Sequence, residues 1–321
     1  RLGANEAPPA IISMFLGEEL TSILDSLTNG KGKQNSQAPQ MMEIGINILP
    51  SFPKDISDRN RTSPFAFTGN KFEFRMVGSS QSLAGPNAIL NSAVSAVLHE
   101  AAERLEKSED PLDEVKHLIK DNYREHRRII FNGNSYSEEW VEEARQRGLP
   151  NLSCTVEAMP RLLDKEAVDM LSGLGIFSRQ ELESRTEIYL EAYSKQINIE
   201  AGVMIEMSRR QITPAVSSYI SLISQSIDWQ KELGLNCQGQ IELVKELSSH
   251  MEGLIKDTGR LEEAMKKAQQ SDSPAAEEAN TYRYTILPLM DQVREHGDAL
   301  ERLTDRASWP YPSYEELLFS L

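Results

Sequence analysis

Thr68-Gly69-Asn70-Lys71-Phe72-Glu73-Phe74-Arg75 decides how the front of this chain is read. Gly69-Asn70 is a turn signal, and the residues after it alternate with strict period two. Phe72 and Phe74 therefore share one face of a strand, and Lys71, Glu73 and Arg75 share the other. The aromatic face is expected to be buried. A charged face that looks only at water makes an ordinary half-exposed strand. One that looks into a cavity supplies a hard oxygen ligand for Mg²⁺ or Mn²⁺ between two clamps for phosphate or carboxylate. Taken alone, the pattern favours the plainer reading.

Two further stretches change that weight. The chain opens Arg1-Leu-Gly-Ala-Asn-Glu-Ala-Pro-Pro9, a loop-like segment with one arginine and one glutamate beside two prolines. Asn60-Arg-Thr-Ser-Pro-Phe-Ala-Phe67 places Arg61 just ahead of Pro64, which ends any helix. An Arg…Glu-Ala-Pro loop, an Asn-Arg-Thr arginine and a Lys-x-Glu-x-Arg strand, in that order, resemble the late catalytic segments of glutamine synthetase. The wording Asn-Glu-Ala-Pro-Pro-Ala, Phe-Thr-Gly-Asn-Lys-Phe-Glu-Phe-Arg and Gly78-Ser-Ser-Gln-Ser82 is similar to the long type III branch. The match rests directly on about the first hundred residues, and a long helical extension is in keeping with that branch.

The resemblance implies a role for each matched residue. Arg1 and Arg75 would hold the carboxylates of substrate glutamate, a task that suits the planar guanidinium fork. Glu73 would ligate a divalent metal, Mg²⁺ or Mn²⁺, that bridges the phosphates of ATP. Arg61 would sit on the transferring γ-phosphoryl, and Lys71, where the family has an arginine, would contact nucleotide phosphate. Glu6 would belong to a flap that closes over the site and helps take a proton from ammonium. The implied reaction joins ammonia to glutamate at the expense of ATP, through a γ-glutamyl phosphate. The implied assembly is a ring-shaped homo-oligomer with sites shared between neighbours.

Departures from the family pattern are equally specific. A second phosphate-binding arginine, five residues after the Asn-Arg one, is Ala66 here, which leaves that nucleotide contact open. About fifty residues, 11–58, are inserted between the first two segments. The family's remaining carboxylate and histidine metal ligands precede all these segments, and none of His99, His117, His126, His250 and His296 stands in a carboxylate pattern that replaces them.

Composition bounds the rest. A chain of 321 residues is long enough for one large or two ordinary domains. It begins at Arg1 without methionine, as expected of a piece of a longer polypeptide. A net charge of −15 argues against nucleic acid or an anionic membrane as the main partner. Cys154 and Cys237 form no metal or redox pattern, which fits a reducing compartment. No apolar run reaches the roughly 20 residues of a membrane span. A cytoplasmic protein is expected.

The organisation is expected to change near residue 107. Residues 1–107 read as α+β, the end portion of the catalytic domain, with a helix at Ile11–Leu27, a strand at Glu43–Ile48 and an amphipathic helix at Asn87–Lys107. Residues 108–321 read as a mostly helical bundle. Ser137 and Ser178-Arg-Gln-Glu181 are helix-start signals. Ile241, Val244, Leu247, Met251, Leu254, Thr258, Leu261 and Met265 recur in steps of three and four, as do Tyr282, Ile286, Leu289, Val293, His296, Leu300 and Leu303. These stripes predict core with coiled-coil-like seams. Trp309-Pro-Tyr-Pro-Ser-Tyr314 is expected to pack back on the bundle as a cap, with docking against another subunit as the alternative.

Two functions from different classes fit these residues. One is a catalytic portion of an ATP-dependent ligase, with another amine in place of ammonia sharing the same residues. The other is a non-catalytic helical assembly or regulatory module with a remnant ligase front end.

Overall fold

The computed structural model describes residues 9–29, 41–42, 52–53, 63–75, 82–312 and 314–319. By compactness the chain forms two units, Arg1–Leu182 and Glu183–Leu321. The described architecture is α+β, with a small sheet followed by long helices. The compact units part at 182/183, and helices that follow residue 107 belong to the first of them.

In the first unit, β1 (Met14–Phe15) is followed by α1 (Glu18–Asn29). Two-residue strands β2 (Met41–Met42) and β3 (Phe52–Pro53) pair antiparallel. β4 (Phe65–Phe67) and β5 (Phe72–Phe74) complete a three-stranded sheet of order β1-β4-β5, with β1 parallel to β4 and β5 antiparallel to it. The helix expected over Ile11–Leu27 thus begins only at Glu18. Met14 pairs with Phe65 on one side and Ile130 on the other, and this non-local pairing overrides the apolar pattern of the segment. Gly17, at φ 79°, makes the corner between strand and helix. The strand expected at Glu43–Ile48 lies outside the described residues.

α2 (Ala84–Glu106) starts three residues earlier than its pattern suggests, and α3 (Pro111–His126) follows it. Asp110 caps α3 by accepting from the backbone N–H groups of Leu112 and Asp113. Val94, Val97 and Leu98 of α2 are exposed, while Ile89 packs on the core of Val168, Leu171 and Leu182. Arg104 ties α2 to α3 through Glu114 at 2.7 Å and Asp121 at 3.2 Å.

Asn132 then joins this helical stretch to the front of the chain. Its Oδ1 accepts from the N–H groups of Leu16 and Gly17, both at 3.1 Å, and its Nδ2 donates to Thr21 Oγ1. α4 (Glu138–Gln146) follows, capped by Ser137, whose Oγ accepts from the Trp140 N–H at 3.2 Å. Gly148, at φ 69°, ends it in a left-handed C-cap in which the Leu149 N–H reaches the Ala144 carbonyl. Trp140 is buried with Ile11 and Ala144 and stacks on Phe131 at a centroid distance of 3.8 Å. The Arg147 guanidinium lies over the Trp140 ring, 5.3 Å from its centroid. Short α5 (Thr155–Ala158) and α6 (Lys165–Gly173) close the unit, and Val168 and Leu171 share a core with Leu182. Ser178 and Glu181 make the reciprocal capping pair expected of them, at 2.8 and 3.3 Å, where α7 (Arg179–Met207) begins.

The regular structure of the second unit, among its described residues, is all helical. After α7, a π turn (Ser208–Ile212) leads into α8 (Thr213–Glu232). α9 (Gln238–Gln270) and α10 (Ala275–Thr281) follow, and a second π turn (Tyr282–Ile286) opens α11 (Leu287–Leu303). α12 (Tyr314–Phe319) is last. Each π turn ends two residues before a proline, Pro214 or Pro288. A proline has no N–H to donate and its ring crowds the carbonyl one turn back, so the widened turn absorbs both faults without breaking the rod.

Leu247, Leu254 and Leu261 of α9, each fully buried, recur every seventh residue. Ile286, Val293 and Leu300 do the same along the facing rod, which gives the coiled-coil-like seam its registry. Trp309 is buried in this core with Tyr311 packed against it, as expected of the aromatic tail. No helix among the described residues is long and apolar enough to cross a membrane.

Candidate active site

The β4–β5 hairpin is built by local rules. Gly69, at φ 92°, takes the first position of a two-residue turn that ordinary side chains disfavour, and the Thr68 N–H donates to the Lys71 carbonyl at 2.9 Å. The register sets Phe65 opposite Phe74, Phe67 opposite Phe72 and Ala66 opposite Glu73. All four phenylalanines fall on one face, with ring centroids 5.2 to 6.1 Å apart. That face is only partly covered: Phe72 is 48% exposed, whereas Ala66 on the opposite side is completely buried. The expectation of a buried aromatic face holds only in part, because the rings cover one another across a two-strand ribbon rather than entering a core.

On the Ala66 side, Glu73 lies between two cations. Its Oε1 is 3.0 Å from Lys71 Nζ, and its Oε2 accepts from Arg75 Nη2 at 3.2 Å. Arg75 is the most enclosed of the three at 19% side-chain exposure, against 65% for Lys71. Its backbone N–H donates to the Pro64 carbonyl at 2.8 Å, which fixes where the side chain leaves the strand. Hydrogen bonds from Lys71 and then Arg75 hold the Glu73 carboxyl below the usual carboxylate range. The group is thus an anion at neutral pH, with hard oxygens.

Chemically, this arrangement offers one carboxylate and two clamps on a rigid hairpin. An anionic carboxylate fits one ligand position of Mg²⁺ or Mn²⁺. It does not make a complete site, since no group of three His, Cys, Asp or Glu among the described residues could hold a metal ion. Arg1, Glu6 and Arg61 lie outside the described residues. Ala66 sits directly across the ladder from Glu73. Position 66 is therefore beside the carboxylate, and here it carries no cation.

Other polar groupings stand apart from Glu73. A cavity of about 390 Å³ is lined by Thr21, Tyr123, Arg127, Ile130, Asn132 and Arg147, on the Ile130 side of β1. Arg127 there is paired with Asp25 at 3.0 Å, and the Tyr123 hydroxyl donates to the same carboxylate. Basic residues in and just after α3 are thus partly spent on ion pairs, Arg127 with Asp25 and Lys116 with Asp113. One grouping that sequence spacing did not reveal joins His250, His296 and Asp257, which distant stretches of α9 and α11 bring together.

Residues 114–231 match the family model described as the glutamine synthetase C-terminal domain. The chain is 40% identical over 336 residues to a glutamine synthetase of Butyrivibrio fibrisolvens, covering 100% of this chain and 46% of that protein. It is 38% identical to a type-3 glutamine synthetase of Dictyostelium discoideum, over 99% of this chain and 44% of that one. A glutamine synthetase of Bacteroides fragilis (strain YCH46) is 36% identical, over 100% and 45%. The chain spans a little under half the length of these curated relatives. Along its whole length it is similar to them, as the three short stretches at its front suggested.

Proposed function

We propose, for a chain related along its whole length to glutamine synthetases, that it is the C-terminal portion of a glutamate–ammonia ligase. In this reading residues 1–107 end the catalytic domain and residues 108–321 form a helical extension. Whole-length identity of 36–40% to proteins of that name carries the reading, and the Lys71–Glu73–Arg75 face supports it.

Each charged residue then has a task. Arg75, with Arg1, holds the carboxylates of glutamate and turns its γ-carboxylate toward the phosphoryl donor. Lys71 neutralises nucleotide phosphate as a point charge, and Arg61 stabilises the charge spread over the transferring phosphoryl oxygens. Glu6 excludes water and accepts a proton from ammonium, leaving ammonia to displace phosphate. Glu73 supplies one oxygen ligand to a Mg²⁺ or Mn²⁺ ion, whose chemistry when bound is to neutralise ATP phosphate charge. The proposed protein is a cytoplasmic, ring-shaped homo-oligomer whose remaining ligands come from the portion that its relatives carry before this one.

Phosphate release by the full natural gene product, given ATP, Mg²⁺, glutamate and ammonia, tests this beside Glu73→Ala. We expect release to need both glutamate and ammonia, and to fall by on the order of a hundredfold in the variant. No release from the folded full-length protein would leave the charged face as structure and put a non-catalytic assembly module in its place.

A further inference from the structure

His250 of α9 and His296 of α11 meet with their Nδ1 atoms 3.2 Å apart. The His296 Nε2 lies 3.5 Å from Asp257 Oδ2, and the other Asp257 oxygen takes Arg260 Nη1 at 3.0 Å. Arg260 is held in turn by Gln292 at 2.9 Å. Asp257 is 9% exposed, in a seam that buries Leu254, Leu261 and Val293. Gly253 makes the seat: a Cβ added there would stand 2.3 Å from His296 Cε1, so the ring lies directly on the α9 backbone.

The chemistry of this contact counts protons. An Nδ1···Nδ1 approach of this length needs one N–H and one lone pair between the rings. The carboxylate of Asp257 favours a proton on the His296 Nε2, which leaves the His296 Nδ1 lone pair to accept and makes His250 the donor. One added proton goes to the free His250 Nε2, and the contact survives. A second must occupy the Nδ1 lone pair inside the contact, where two N–H bonds would then meet head-on between like charges.

Among the described residues, the other charged groups of the packed helices lie away from the two rings: Arg209 of the preceding π turn is paired with Glu262 of α9. On α9, Lys245, Glu246, Glu252 and Lys256 are exposed. On α11, Asp291, Arg294, Glu295 and Asp298 are exposed too, with Arg294 paired to Asp298 at 3.3 Å. α8, which also packs on α9, carries its charged residues Asp228, Lys231 and Glu232 near its C-terminal end.

We propose that the His250–His296 pair, seated on Gly253 and tied to Asp257, is a proton-sensitive latch on the α9–α11 seam: it stays closed with one added proton and opens with two. The latch therefore responds to acid. It is independent of the ligase reading.

Thermal and urea unfolding of the 321-residue chain test it, from about pH 7.5 to about pH 5. We expect the unfolding constant to rise about tenfold more over that range in the parent than in His250→Asn, which keeps a donor without a titrating ring. Asp257→Asn should steepen the acid response, because it removes the one carboxylate beside the rings. NMR of the imidazole C–H groups gives a readout that needs no variant. With five histidines in the chain, the His250 and His296 signals should change in two linked steps, and the His296 signal in one step in His250→Asn. Independent single-step curves for the two rings in the parent would overturn the proposal. So would equal acid responses in the parent and a folded His250→Asn.

Discussion

The unit from Glu183 onward and the unit before it are held together in different ways. The rear unit repeats one device: an apolar residue every three or four positions, facing the same device on a neighbouring helix. Leu247, Leu254 and Leu261 differ little from one another in role, and each is legible from its own sequence neighbours. The front unit depends on single contacts between distant residues. Asn132 joins β1 and α1, Trp140 is buried against Ile11, and Met14 is paired with both Phe65 and Ile130. A repeated device spreads a loss over many equivalent positions, whereas a single contact has no substitute.

Leu254→Ala asks how well the repeated device tolerates a gap. The residue is fully buried in the α9 seam, so its loss should cost about 2–5 kcal/mol, read from the urea midpoint at constant m. A cost well under that range would mean that the seam closes over the gap. Asn132→Ala asks the matching question of the front unit. It strips the Leu16 and Gly17 N–H groups of their acceptor and should cost about 1–3 kcal/mol, with faster amide exchange at those two positions. Unchanged exchange there would show that Asn132 is not the tie described.

The smallest effect belongs to the surface. The Glu142 carboxyl is lowered to about 2, by hydrogen bonds from Arg145 first and Gln146 second. A group lowered on folding stabilises above its ordinary value of 4.5, and that contribution fades as pH falls from there through about 2. Amide protection in α4, taken relative to the intrinsic exchange rate at each pH, should fall over that window, and by less in Arg145→Ala. The pair is exposed, so the difference is expected to be small.

The same contrast governs how much could be read in advance. The cap at Ser137, the capping pair at Ser178, both apolar stripes and the packed Trp309 tail were legible, because each follows from residues within a turn or two. Met14-Phe15 was misread as helix because nothing local shows that Phe65 and Ile130 will arrive beside it. The π turns went unread for a related reason: each proline marks a fault, but whether the rod breaks or widens depends on packing further along. Of the candidate site, the alternation around Glu73 was legible to the individual side chain. That Ala66 would face the carboxylate was not, because register across a hairpin is a pairing and not a pattern. The histidine pair was invisible for the same cause, with its partners 46 positions apart.

Gly253 makes two distant positions one choice. A glycine inside a helix forgoes about 1 kcal/mol of intrinsic helix stability relative to alanine, and α9 accepts this so that the His296 ring can rest on its backbone. While the ring is present, alanine at 253 collides with it. With a small side chain at 296 the collision disappears, and alanine becomes the better residue. Among descendants of this sequence, a methyl group at position 253 should therefore come with an imidazole at 296 that has moved off this seat or been given up.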